Sequence, residues 1–322
     1  MSSTSTRSSP SSREVSDVVD VATGLEFFIT GLGKGSVYAL IAVGFALIYK
    51  VTGVLNFAQG WFAALFGLLP VVLSTSLVVS FEISPLVAVA ITVFAGLLLG
   101  LVLEFGIFRF FIGEPVLSVI VVTLALVASI EGIVQYLVGP GYRAYPEAVL
   151  PDWTVPLALG VELQGPFALA IVFAVATVAA LMAFFRYTVM GSILRAAASD
   201  QQAAMVLGVS IERTIVVAWA ISLTITSIGG VLFAMSTSGW SFAPYTNIGI
   251  LVFAAVVLGG IDSIPGAFIG AITIGVIEEL GTGYLDPVVA PGFGTVLPML
   301  FLLVIILVLP YGLFGTERIE RL

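Results

Sequence analysis

Residues 214–261 read TIVVAWAISLTITSIGGVLFAMSTSGWSFAPYTNIGILVFAAVVLGGI and contain no charged side chain. The stretch is too long for a single membrane-spanning helix, because about 20 apolar residues are enough to cross about 30 Å of hydrocarbon. The segment STSGWSFAPYTN at 236–247 divides it with turn-forming residues and aromatic residues typical of a membrane interface. The stretch therefore predicts two membrane-spanning helices joined by a short loop.

The composition of the whole chain is that of a membrane protein. Of the 322 residues, 60% are apolar and 9% are charged, and the mean hydropathy is +1.20. A soluble domain carries about 25% charged residues, so an ordinary globular core is excluded. Apolar runs lie at 25–49, 57–80, 85–108, 116–138, 167–185, 214–235, 246–261, 265–281 and 294–312. The predicted fold class is all-α, a polytopic integral membrane protein of eight or nine transmembrane helices with short loops and a cytoplasmic loop helix.

The missing residue types exclude most enzyme classes. The chain has no Cys and no His, which removes thiol nucleophiles, Ser-His-Asp triads and H-E-x-x-H metalloprotease sites. No G-x-x-x-x-G-K-[ST] phosphate-binding loop occurs. We predict no catalytic residue, metal site or cofactor, and hence no enzyme. The net charge of −8 argues against a nucleic-acid partner, and the scarcity of Lys would suit a salt-rich habitat.

The basic residues predict the orientation of the chain. If the loop at 186–213 faces the cytoplasm, alternation of the spans places seven basic residues inside and leaves Arg143 in an outer loop. The seven are Lys50, Arg109, Arg186, Arg195, Arg213, Arg318 and Arg321. We predict a disordered Ser/Thr-rich tail at 1–24, a membrane domain at 25–314 and a cytoplasmic tail at 315–322. The tail at 1–24 lies outside if all nine runs span, and the choice between eight and nine stays open.

The 186–213 loop reads RYTVMGSILRAAASDQQAAMVLGVSIER and predicts a short helix. Ser199 or Asp200 can cap its N-terminus, and Gly208 can end it in the left-handed conformation after Leu207. With the small residues Ala203 and Ala204 on its surface, such a helix could fit a groove in a partner protein. The alternative is a helix that only connects two spans.

Four stretches resemble one family, the ABC importer permeases of the branched-chain amino acid (LivH-like) kind. RAAASDQQAAMVLGV at 195–209 is similar to the family's coupling loop, R-A-x-A-x-D-x-x-A-A-x-x-x-G-V. GLGKGSVYALIAVGFALIY at 31–49 and GVLNFAQG at 53–60 resemble the family's G-S-x-Y-A-L opening and its I-N-F-A-H-G segment. GGIDSIPGAFIG at 259–270 resembles its late G-G-x-G-S-x-x-G-A-x-x-G element. Gln59 and Asp262 differ from the family's usual His and Gly.

This resemblance implies a function. The chain would form half of a membrane pore together with a second permease subunit, and it would carry branched-chain or related amino acids across the cell membrane of a prokaryote. Two ABC ATPase subunits would bind the cytoplasmic loops, and an extracytoplasmic binding protein would deliver the solute. The matched loop positions imply an ATPase-coupling role for Arg195, Asp200, Ala203, Ala204 and Gly208.

The residues also indicate a translocation path. A break in a helix at membrane depth is tolerated only where protein or a watery cavity covers it, which makes Asn56 and Gln59 path candidates. A polar turn at the cytoplasmic surface is the competing interpretation. Glu131 is the one ionisable residue clearly central in an apolar run, and a transport role there competes with structural pairing. Gly35, Gly266 and Gly270 have the spacing of close helix packing.

Three other functions stay open at this stage. A permease for a sugar or another small polar solute would have similar spans. An ion-coupled secondary transporter would use an intramembrane carboxylate such as Glu131 and would need no ATPase. A membrane enzyme is the weaker alternative, because the chain has no His or Cys and no dense group of carboxylates.

Overall fold

The structure is a computed structural model that describes residues 21–75, 83–139, 141–147, 153–157 and 160–315. Within these residues it contains eleven α-helices. They are α1 (Val21–Thr52), α2 (Gln59–Ser74), α3 (Pro85–Gly106), α4 (Val116–Val138), α5 (Gly165–Tyr187), α6 (Val189–Ser199), α7 (Gln201–Val206), α8 (Ile211–Ser236), α9 (Phe242–Gly259), α10 (Ile264–Tyr284) and α11 (Phe293–Val308). Two predicted tails lie largely outside the described residues. The parts outside are residues 1–20 of the N-terminal tail at 1–24 and residues 316–322 of the C-terminal tail at 315–322.

Each of the nine apolar runs contains one helix, but the count of spans differs from the prediction. Seven helices in the described part of the chain are long and apolar enough to cross a membrane, namely α1, α3, α4, α5, α8, α9 and α10. Helices α2 and α11 have 16 residues each, about 24 Å of helix, which is shorter than the hydrocarbon layer. The structure therefore supports a polytopic helical membrane protein and does not confirm eight or nine spans.

Helix α1 lies at the centre of the bundle. Every residue from Ser36 to Ile48 is buried, and α5, α8, α9 and α10 all pack against this helix. Small residues allow the close approach: a Cβ on Gly35 would lie 2.7 Å from the Cα of Ile272 in α10. Gly266 and Gly270 of α10 face the backbone of α9 at Gly259 and Ala255 in the same way. Dense packing of this kind fixes the positions of the polar groups that α1 carries.

The loops form two opposite faces of the bundle. On the first, which we call the Lys50 face, Lys50 Nζ donates to the Asp262 carbonyl oxygen at 2.8 Å, and Gly260 contacts Gly315. On the other, the Arg143 face, Arg143 pairs with Trp240 between two short antiparallel strands, β1 (Arg143–Ala144) and β4 (Gly239–Trp240). This grouping of loops agrees with the alternation that the basic residues predict.

The Arg143 face carries the only regular β-structure among the described residues. A second antiparallel pair joins β2 (Thr154–Pro156) to β3 (Glu162–Gln164), immediately before α5 begins. Tyr145 follows β1 and is buried, which raises the pKa of its phenol. The all-α prediction missed these strands because two or three residues are too few to show an alternating pattern.

Candidate translocation and coupling site

The segment between α1 and α2 turns back into the protein and carries two buried amides. Asn56 and Gln59 are each 1% exposed. Asn56 Nδ2 donates to Gln59 Oε1 at 2.8 Å, and Asn56 Oδ1 accepts the Ala58 backbone N–H at 3.2 Å. The two amides thus hold the first turn of α2 to the loop before it. Such burial is not that of a polar turn at the surface, which was the competing interpretation.

Gln59 connects this break to α8 and α1. Its Nε2 donates to Thr226 Oγ1 at 2.5 Å and to Ser222 Oγ at 3.2 Å. Ser222 Oγ in turn donates to the Gly44 carbonyl oxygen at 2.8 Å. Gly44 lies eight residues before the end of α1, about 12 Å along the helix. The start of α2 therefore lies well inside the bundle, which explains why α2 is too short to span alone.

A cavity of about 230 Å³ reaches this break from the Lys50 face. Asn56 borders it, and Gln59 lies behind Asn56. Its other polar lining side chains are Thr52, Glu114, Thr123 and Gln201. Phe108 and Trp219 form part of the apolar wall, stacked at a centroid distance of 4.1 Å. The cavity therefore offers a small space with both polar and apolar walls beside the break.

The 186–213 loop contains the short helix expected there. Asp200 caps α7, with its Oδ1 accepting the Ala203 N–H at 2.9 Å. Gly208 follows with a φ of +87° in the left-handed region. An additional helix, α6, precedes it and was not predicted; Thr188 caps α6 by accepting the Gly191 N–H at 2.9 Å. The sequence signal for α6 was this Thr followed by inward-facing residues at helical spacing.

The side chains of α7 face in two directions, which corrects the expectation for Ala204. Ala203 is exposed, but Ala204 is 2% exposed and faces the protein. The exposed surface instead continues through the apolar residues Met205, Val206 and Leu207, which are 52%, 87% and 83% exposed. An apolar run of this kind in a polar loop was visible in the sequence and was missed. It gives the loop a surface suited to a protein partner.

One hydrogen bond joins α7 to the core of the bundle. Gln201 Nε2 donates to the carbonyl oxygen of Val51, in the last turn of α1, at 2.8 Å. Gln201 also lines the 230 Å³ cavity beside Asn56. Arg195 on α6 is exposed, and its Nη2 donates to Ser192 Oγ at 3.0 Å. The predicted coupling loop and the predicted path therefore meet at Gln201, a residue that the sequence analysis did not select.

Glu131 lies apart from this site. It is partly exposed on α4, where Gln135 Nε2 donates to its Oε1 at 3.3 Å. Thr123 of the same helix lines the cavity, and Glu131 is eight residues further on, about 12 Å along the axis. The structure therefore does not bring Glu131 together with Asn56 and Gln59.

Several other ionisable side chains within the helices are either paired with each other or fully buried. Lys34 Nζ on α1 pairs with Glu278 Oε1 at 2.9 Å and with Glu279 Oε2 at 3.4 Å on α10. The Tyr38 hydroxyl donates to Glu278 Oε2 at 2.8 Å. Glu104 on α3 is fully buried, and neither of its oxygens has a hydrogen-bond partner within the described residues. In the same residues no group of three or more acidic side chains could hold a metal ion.

Comparison with known proteins supports the resemblance. The family model described as branched-chain amino acid transport system / permease component matches residues 27–309. The high-affinity branched-chain amino acid transport system permease protein LivH of Salmonella typhimurium strain LT2 is 28% identical over 305 residues, covering 92% of this chain and 97% of the relative. LivH of Escherichia coli K12 is 27% identical with the same coverage.

More distant relatives agree. The permease protein BraD of Pseudomonas aeruginosa is 25% identical over 303 residues, and it covers 92% of this chain and 97% of the relative. No solved structure gives a significant match. The family model alone spans most of the described helices, from α1 to α11. The chain therefore belongs to the family of branched-chain amino acid transport permeases.

Proposed function

We propose that the chain is a membrane-spanning subunit of an ABC importer that carries branched-chain or related amino acids inward. ATP would be hydrolysed by two separate ATPase subunits, a second permease would complete the pore, and an extracytoplasmic binding protein would deliver the solute. Membership of the permease family supports a transport role without enzymatic activity in this chain. The location would be the plasma membrane of a prokaryote, with the Lys50 face in the cytoplasm.

The observation that carries this proposal is the contact of α7 with the end of α1. On its outer side, α7 presents Met205, Val206 and Leu207 to a partner. On its inner side, Gln201 holds the Val51 carbonyl oxygen. A movement of α7 that follows closure of the ATPases would therefore pull directly on the junction between α1 and the polar break. Since packed helices have discrete arrangements, such a pull would favour one access state over the other.

The movement of α7 would act on the polar break, the segment between α1 and α2 that carries Asn56 and Gln59. Gln59 bridges α2 to α8 through two hydroxyl groups, and Ser222 joins this bridge to α1. Three helices would therefore have to exchange these hydrogen bonds together if the path opens at this level. Buried groups of this kind are costly to leave without partners, so the exchange would be switch-like.

Uptake by reconstituted complexes tests the proposal. The chain is purified with the second permease and the ATPases, reconstituted into vesicles, and supplied with binding protein and radiolabelled leucine. We expect uptake only when ATP is available to the ATPases. Uptake driven by an ion gradient without ATP would instead indicate a secondary transporter, and uptake of a sugar but no amino acid would indicate the sugar permease alternative.

A further inference from the structure

A second cavity on the Lys50 face collects basic side chains. Its volume is about 570 Å³, within the range of small-molecule sites. It lies between the ends of α1, α5 and α10 and beside α6. Among the described residues, those in its lining that carry charge are Lys50, Arg186, Arg195 and Asp262. Three cations therefore face one carboxylate in a single concave site.

The three cations keep charge available for a ligand. The Lys50 ammonium donates one hydrogen bond to the backbone oxygen of Asp262, and Arg195 donates to the hydroxyl of Ser192. Arg186 is exposed, with its guanidinium 5.5 Å from the ring centroid of Tyr187. The described part of the lining thus holds three cationic side chains and one carboxylate, which gives it a net positive charge. The cavity is therefore suited to an anion.

Apart from Ser263, the other residues of the lining are apolar. Met182 and Phe185 form one wall, and Ile264, Pro265 and Phe314 form the other. Above the cavity, exposed apolar residues continue along both walls: Val175 is one heptad before Met182 on α5, and Ile269 is one turn beyond Pro265 on α10. Helices α5 and α10 touch each other much less than either touches α1, as expected for two helices separated by a cleft.

We propose that this cavity binds the headgroup phosphate of an anionic phospholipid, with an acyl chain lying in the cleft between α5 and α10. Basic cavities between spans at a membrane surface suit such headgroups, because the anion meets the cations while the chains stay in hydrocarbon. The apolar cleft distinguishes a lipid from free phosphate, which would need no such wall. The inference does not depend on the import proposal, because it concerns only this chain and its membrane.

Lipid binding to the purified full-length chain tests the inference without any partner subunit. Native mass spectrometry in detergent compares phosphatidylglycerol with phosphatidylcholine, which has the same phosphate but no net charge. We expect preferential binding of phosphatidylglycerol, and a loss of about fivefold in affinity for each charge removed by Lys50→Gln and Arg186→Gln. Arg109→Gln with Arg213→Gln is the matched control, since both arginines are exposed on the same face outside the cavity.

Each other outcome overturns the inference. Equal binding of the two lipids, or an equal loss in the control, would show that charge at this cavity does not select the ligand. Displacement of phosphatidylglycerol by millimolar inorganic phosphate would identify a free-phosphate site. Unchanged binding of phosphatidylglycerol by the Lys50→Gln and Arg186→Gln variants would show that the lipid does not bind in this cavity. If the variant that combines Lys50→Gln with Arg186→Gln does not purify, the Arg186→Gln single variant must show the fivefold loss in affinity.

Discussion

Gln59 shows how one amide can join three helices. Its oxygen accepts from Asn56, and its nitrogen donates to Ser222 and Thr226. No apolar side chain can supply both an acceptor and two donors, and a buried group that loses its partner costs about 1–3 kcal/mol. The network thus needs an amide, which has both functions, at this position.

We expect Gln59→Leu and Asn56→Leu to lower ATP-driven uptake while ATPase copurification stays normal. The reason is that these amides lie inside the bundle, away from the exposed part of α7. Radiolabelled leucine uptake and pull-down from detergent measure the two properties. Gln135→Leu is a matched control on the outward-facing α4. Normal uptake in both path variants would show that the network only packs helices.

Glu104 is buried without a hydrogen-bond partner in the part of the chain that the structure describes. We expect Glu104→Met to raise the free energy of unfolding by about 1–3 kcal/mol, because it removes two unsatisfied polar atoms at similar length. Thermal unfolding in detergent measures this, with the exposed Glu114→Gln as control. A lower unfolding temperature would mean that the carboxyl group has a stabilising role, such as contact with another subunit.

The ion pairs of Lys34 with Glu278 and Glu279 should respond to mutation in the opposite way, by a loss of stability. Lys34→Met leaves Glu278 buried without its cation; because Lys34 itself is partly exposed, we expect a cost below the about 3–5 kcal/mol of a fully buried pair. We therefore expect a marked loss of thermal stability, measured in the same assay. Lys34→Arg keeps the charge and is the control. The double variant Lys34→Met with Glu278→Gln should recover part of the loss, and no recovery would contradict the pairing.

Local signals predicted single residues well and distant partners poorly. The cap at Asp200 and the left-handed Gly208 depend on a few neighbouring residues, so they could be predicted from the sequence. Two partners of Gln59, Ser222 and Thr226, lie more than 160 positions away, and nothing in a single sequence marks such a pair. The pairing of Lys34 with Glu278 and the full burial of Glu104 could not be predicted either, since the packing of distant helices decides both.

At the scale of elements, the apolar runs predicted which segments form helices but not where those helices begin and end. The run at 57–80 predicted a full span, yet α2 covers Gln59–Ser74. The run begins with the loop residues Phe57 and Ala58, which are apolar and which hydropathy therefore cannot distinguish from helix. Helix α6 was missed because it is amphipathic, with a polar outer surface, and so does not form an apolar run. Hydropathy therefore predicts the presence of a helix more reliably than its boundaries.

The exposed side of α7 predicts where the ATPase binds. Val206→Asp should lower ATPase copurification and ATP-driven uptake, because it places a charge on a side chain that is 87% exposed and apolar. Gly208→Val should do the same through backbone strain of about 1–2 kcal/mol at positive φ. Normal expression is expected for both. Gln202→Asp on the same helix is the control, and normal uptake in both variants would leave α7 as a simple connector.

Ala204→Arg separates the two sides of α7. Because Ala204 faces the protein, a bulky charged side chain should displace α7 itself rather than clash in a partner's groove. We therefore expect faster proteolysis of the 186–213 loop in the isolated chain, in addition to lost uptake. Unchanged proteolysis would indicate that Ala204 lies on the partner side after all.

At the scale of the whole molecule, the two faces differ in charge. Lys50, Arg186 and Arg195 line one cavity on the Lys50 face, whereas Arg143 lies in a strand on the opposite face. Helix α1 begins beside Tyr284 on the Arg143 face, and Gly315 ends beside Gly260 on the Lys50 face. The described chain thus starts and ends on opposite faces. The assignment of the loops to two faces could be predicted from charge alone. It requires only the basic residues of each loop and the order of the loops along the chain.

The orientation of these faces in the cell is the last prediction. Excess basic residues stay on the cytoplasmic side during insertion, so the Lys50 face should be inside. Single cysteines at Ser199 and Ser238 report on the two faces, because both residues are exposed and the chain has no native cysteine. A membrane-impermeant thiol reagent should label position 238 in intact cells and position 199 only after permeabilisation, with the cysteine-free chain as control. Labelling of position 199 but not 238 in intact cells would invert the topology, and the loop that carries α7 could then not reach a cytoplasmic ATPase.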